Sequence, residues 1–123
     1  MPSEQLHEGA SEYLYRDLIY DSSFWSDTTV LGLPVPSTVF TDLFFSIKST
    51  DNSTTLLTLK LSTSDIEWLD APNGKCRINF NANTLTLSGT DYTYEFRAKL
   101  TTGAYIHIES GTLDILPSQT GNP

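Results

Sequence analysis

Residues 92–100 read Tyr-Thr-Tyr-Glu-Phe-Arg-Ala-Lys-Leu, an unbroken alternation of apolar and polar side chains. Successive side chains of a β-strand point to opposite faces. Tyr92, Tyr94, Phe96, Ala98 and Leu100 therefore share one face, and Thr93, Glu95, Arg97 and Lys99 the other. This is a half-buried strand with a wet face, and the same period of two recurs along most of the chain.

The segment Thr101-Thr102-Gly103 supplies a tight turn, after which residues 104–109 alternate again, with Ile106 and Ile108 inward and His107 outward. A second reversal is expected at Ser110-Gly111, leading into Thr112-Leu113-Asp114-Ile115-Leu116, and Pro117 ends the run because it cannot donate to a ladder. Upstream, Leu43, Phe45 and Ile47 alternate, as do Leu57, Leu59 and Leu61, and the Asp51-Asn52 stretch between the two runs has turn chemistry. Ala71-Pro72-Asn73-Gly74 is a turn that feeds a strand carrying Cys76, Ile78 and Phe80 on one face. Residues 81–87 read as either a short strand or a connecting loop.

Residues 13–20 read as a first strand in preference to a short helix, and two prolines in residues 31–36 exclude a helix there. The organisation expected is an N-terminal arm with a first strand (residues 1–38), a body (39–117) and a polar tail (118–123). Short strands separated by turns, with no long amphipathic helix, indicate an all-β protein: an antiparallel immunoglobulin-like β-sandwich of about six to eight strands with an extended N-terminal arm, or a jelly roll as the second choice. With Cys76 as the single cysteine, an antibody-type disulfide is excluded.

Seven Lys and Arg against fifteen Asp and Glu give a formal charge of −8, which argues against binding nucleic acid or an anionic membrane. The first thirty residues show no basic start followed by an apolar stretch, so synthesis in the cytosol is expected. His7 and His107 are a hundred residues apart with no metal-ligand spacing near either, and no Gly-x-Ser-x-Gly elbow or glycine-rich phosphate loop occurs. Asp65, Glu67 and Asp70 fall short of calcium-loop spacing and read as a solvated inter-strand loop, with Trp68 plugging the end of the sandwich. The expectation is a non-enzymatic protein with no cofactor or metal. The aromatic side chains are the remaining lead. Tyr13, Tyr15, Tyr20, Phe24, Trp25 and Trp68 are the candidate interaction residues, for a protein neighbour or for the ring of a sugar.

One resemblance adds to this reading. It rests on Leu56-Leu57-Thr58-Leu59, Ser64-Asp65-Ile66-Glu67-Trp68, Asn73-Gly74-Lys75-Cys76-Arg77-Ile78, residues 87–96 around Gly89-Thr90-Asp91-Tyr92, and Gly111-Thr112-Leu113. The succession resembles the small immunoglobulin-like β-sandwich virion proteins of tailed bacteriophages, including the N-terminal domain of baseplate upper proteins, over residues 41–116. The resemblance implies a non-enzymatic virion subunit, made in the host bacterial cytoplasm and present in many copies. Its partners would be other virion proteins of the tail, baseplate or capsid decoration lattice, with residues 1–35 packing on an adjacent chain. A carbohydrate-binding or host-recognition module is the alternative.

Overall fold

The computed structural model describes residues 3–7, 12–22, 25–51, 53–80 and 89–116. Phe24, the tail 118–123 and the ambiguous stretch 81–87 lie outside the described residues. Eight strands are present among them: β1 (Ser3–His7), β2 (Glu12–Asp17), β3 (Phe40–Lys48), β4 (Thr55–Lys60), β5 (Ile66–Asp70), β6 (Lys75–Phe80), β7 (Gly89–Leu100) and β8 (Tyr105–Leu116). They form a five-stranded sheet in the order β1-β8-β7-β3-β4 and a three-stranded sheet in the order β2-β6-β5. The protein is an all-β sandwich, antiparallel except where β1 runs parallel to β8.

Alternation explains the core. Leu43, Phe45 and Ile47 of β3 and Phe96 and Ala98 of β7 are fully buried, and they meet Ile66, Cys76, Ile78 and Phe80 of the smaller sheet. Phe45 sits at the centre, edge-on to Phe80 across the layers (5.5 Å between ring centroids) and stacked on Tyr94 of its own sheet (5.2 Å). Such ring pairs add about 0.5–1.5 kcal/mol each beyond the area they bury. The turn between β3 and β4 is closed by Asp51, whose carboxylate accepts hydrogen bonds from the Ser49 and Ser53 hydroxyls and the Ser53 amide. Those donors stabilise the charged form and hold this carboxyl down at about 2.

Three expectations need correction. The extended N-terminal segment is there, but it docks on its own chain. β1 lies in one sheet and β2 in the other, and Leu6, Leu14, Leu18 and Val35 are all in the core, because their spacing is that of inward positions. The reversal expected at Ser110-Gly111 does not occur. β8 continues through it, and Gly111 lies buried opposite Tyr94. What breaks the alternation instead is a register shift between Phe96/Glu109 and Arg97/His107, where Ile108 is the extra residue of a β-bulge. Finally, residues 66–70 form a strand rather than a loop, and Trp68 is half-buried against Phe40 at 6.0 Å.

The crossing from β2 to β3 is fastened at Gly74. The Leu18 amide donates to the Gly74 carbonyl (2.9 Å), and the Val35 amide donates to the Leu18 carbonyl (3.0 Å). Gly74 has φ +67°, and a Cβ there would stand 2.3 Å from the Val35 carbonyl oxygen and 2.9 Å from that of Leu18. Both obstacles are backbone, so neither can swing aside. Gly74→Ala is expected to cost about 3 kcal/mol, combining left-handed strain with the clash. That corresponds to a fall of about 10 °C in Tm by calorimetry, and an unchanged Tm would contradict this account.

Candidate functional site

Arg16 alternates with Leu14 and Leu18, so it points inward from β2 toward the larger sheet. The opposing positions are polar. Glu4 is paired with Leu113 and Glu109 with Phe96, which sets both carboxylates on the inner face of the five-stranded sheet. Arg16 Nε and Nη2 donate to the two oxygens of Glu109, each at 2.9 Å, Nη2 also donates to Glu4 (2.7 Å), and Nη1 donates to the Tyr15 carbonyl. The Tyr94 hydroxyl completes the cluster by donating to Glu109. Four strands from both layers thus meet at one guanidinium.

Burial by itself raises the Glu109 carboxyl, but the Arg16 and Tyr94 hydrogen bonds and the Arg16 charge outweigh it, and the group is held below the ordinary glutamate range. For Arg16 burial opposes the charge, and the two glutamates more than compensate, so its affinity for the proton rises. Burial, followed by the bond to Glu109, pushes the Tyr94 phenol up. Cys76, opposite Arg16 on β6, is enclosed, and its thiol is pushed up to about 12, chiefly by burial. A thiol held in its protonated form is a poor nucleophile.

The opposite side of the smaller sheet is where the aromatics surface. Tyr13 and Tyr15 project outward from β2 and are 48% and 58% exposed. Pairing puts Tyr15, Arg77 and Glu67 in one row across the three strands, with Tyr13 beside Asn79 in the next. Arg77 is ion-paired to Glu67 and lies over the Tyr13 ring, 4.3 Å from its centroid. Arg77 Nε and Asn79 Oδ1 are closed off from solvent and find no hydrogen-bond partner among the described residues. This face offers two rings and a fixed cation.

The other expected interaction residues are elsewhere. Tyr20 and Trp25 pack on one another at 4.7 Å in the crossing segment, and Trp68 is engaged with Phe40. The five described candidates therefore do not form one site. A cleft of about 240 Å³ opens beside the clasp that Arg16 forms with Glu109, Glu4 and Tyr94, and it is lined by Asp17, Asp21, Glu109 and His107 with Ile19, Phe40 and Ile108. It is smaller than the roughly 300–1,000 Å³ usual for small-molecule sites. Lys75 pairs with Asp17, and Arg16 with Glu109, so part of its charge is already met. Among the described residues no three His, Cys, Asp or Glu side chains converge as a metal site would require.

Reasoning from sequence missed the clasp, although a signal was present: Glu4 is in phase with Leu6, Arg16 with Leu14, and Glu109 with Leu113. No known family model matches the chain, and no curated protein matches it either.

Because Glu109 binds its proton less tightly in the folded state than in the unfolded chain, its contribution is present above the ordinary glutamate value. It is lost as pH falls through the folded one. Replacing it by glutamine is expected to cost about 2 kcal/mol at neutral pH, the range of a charge-assisted hydrogen bond. Urea unfolding across a pH series should show the gap between wild type and E109Q closing in acid. A gap that stays constant would rule out the charged clasp.

Proposed function

We propose that the protein is a non-enzymatic structural subunit of a tailed-bacteriophage virion, docking on neighbouring virion proteins through the outer face of its three-stranded sheet. The observation that carries the docking role is the pair of exposed tyrosines on β2. An alternating strand normally turns polar side chains to water, and here it turns two large rings outward beside Arg77. Tyrosine and arginine are the side chains that protein interfaces favour, since each buries a large area and retains a hydrogen-bonding end. The virion setting is supported by the resemblance of residues 41–116 to phage sandwich proteins. An acidic surface suits assembly in the cytosol without capture by nucleic acid. Tail, baseplate and capsid lattice are all compatible with a body of this size.

The double variant Tyr13→Ser/Tyr15→Ser changes only outward-facing side chains, so it should fold with wild-type circular dichroism. It is expected to lose incorporation into particles by at least about tenfold. Equal incorporation of wild type and variant, or absence of the wild-type protein from purified particles, would refute the proposal.

A second reading is favoured by the exposed Tyr13 and Tyr15 rings beside the Arg77–Glu67 pair, since sugar sites combine an aromatic platform with polar groups at its edge. That reading expects saturable binding on a glycan array, abolished by Tyr15→Ala. A blank array at high protein concentration would eliminate it.

A further inference from the structure

The outer face of the larger sheet sorts its charges by position along the strands. Near the β7–β8 turn, pairing across four strands aligns Lys60, Phe44, Arg97 and His107 in one row, with Asp42, Lys99 and Tyr105 in the next. Among the described residues no carboxylate pairs with Lys60, Arg97 or Lys99, whereas the other four cations, Arg16, Lys48, Lys75 and Arg77, are all in ion pairs. Arg97 and Lys99 instead lie about the Tyr105 ring, at 5.4 and 5.5 Å. Two carboxylates at this end are engaged by backbone amides, Asp42 by those of Leu43 and Ser62 and Asp65 by that of Lys60. At the far end the sign reverses. Asp114 and Asp91 sit together, the Asp91 amide donating to Asp114. The middle of the face carries Ser46, Thr58, Ser110 and Thr112 around Glu95, which is neutralised by its ion pair with Lys48.

One end carries Lys60, Arg97 and Lys99 against Asp42 and Asp65, and the other carries Asp91 and Asp114 beyond a Lys48 that Glu95 neutralises. A flat face of this kind is its own complement when a second copy is turned end for end. Each basic end then lies on an acidic end, and the small Ser and Thr side chains let the two sheets approach. No dissimilar partner is needed to explain why a chain with eight excess carboxylates gathers its unpaired cations in one place. We infer that the outer face of the five-stranded sheet is a two-fold self-association surface, on which a second copy of this chain packs with Arg97 and Lys99 opposite Asp114 and Asp91 of its mate. Five strands about 4.8 Å apart give a face of roughly 500 Å² per copy, at the low end for specific interfaces, so the dimer is weak and salt-sensitive.

The inference goes beyond the docking role proposed for the three-stranded sheet and uses the opposite side of the sandwich, so the two stand or fall separately. The test is sedimentation of the full chain over a concentration series at low and high salt, with two charge reversals, Arg97→Glu and Asp114→Lys. Wild type should dimerise reversibly and dissociate in salt. Each variant alone places like charges opposite one another twice and should dimerise about tenfold more weakly or worse. In a one-to-one mixture Glu meets Lys on one side of the two-fold and the native pair re-forms on the other, so the mixture should regain wild-type affinity. The regained affinity also shows that both variants are folded. A wild-type protein that stays monomeric throughout overturns the inference, as does a mixture no stronger than its components. Loss of particle incorporation in the tyrosine variant with dimerisation intact would separate the two faces directly.

Discussion

Arg16 projects from the inner face of the smaller sheet into a layer that apolar side chains fill elsewhere, and a guanidinium cannot shed its proton to relieve the cost. The surrounding strands are arranged to answer it. Glu109 receives it in two-pronged fashion, Glu4 takes the remaining edge, and Tyr94 steadies Glu109 from the neighbouring strand. This is possible only because the bulge at Ile108 turns Glu109 inward. Without the extra residue, the alternation that keeps Ile106 on the core side would put Glu109 outside. The buried glycine at 111 leaves the position next to it on that face of β8 without a side chain. A bulge, a glycine and a parallel first strand, each an irregularity in isolation, are thus parts of one solution for a single charge.

The elements legible in the sequence were those governed by a period of two and by turn chemistry. The β7–β8 hairpin, the Asp51 turn, the Pro72–Gly74 turn and the inward sets of β3 and β6 all follow from side-chain spacing alone, because only local geometry is involved. The reversal at Ser110-Gly111 was misread since Ser-Gly looks the same in a turn and in a strand whose glycine makes room for something across the sandwich. The fate of residues 1–38 was not local at all. Whether Leu6 covers its own chain or another depends on a pairing with β8 more than a hundred residues away, and no spacing within the segment encodes it. The aromatic residues failed to converge for a similar reason. Trp68 and Trp25 found ring partners inside the fold, and Tyr13 and Tyr15 did not.

The distribution of cations orders the surface. Four of the seven are consumed by ion pairs, either at the clasp or across neighbouring strands, and exposed pairs of this sort contribute little to stability, about 0–1 kcal/mol. Their effect is to cancel charge locally and leave the remainder conspicuous. The two outer faces consequently differ in kind. The small sheet offers rings and a neutralised row, suited to a contact dominated by burial, whereas the large sheet offers a charge gradient along its strands, suited to orientation.

The pairing of β1 with β8 has a consequence in time as well as in space. Every other described strand lies between them in the chain, so β1 emerges from the ribosome before its partner by nearly the whole length of the sandwich. Closing so long a loop is entropically slow, and local hairpins form first. Until β8 is made, Leu6 has no groove, Glu4 has no neighbour, and Arg16 lacks the glutamate that receives it. The clasp and the edge strand therefore come within reach together, at the last step, and a chain cut short before Glu109 can complete neither.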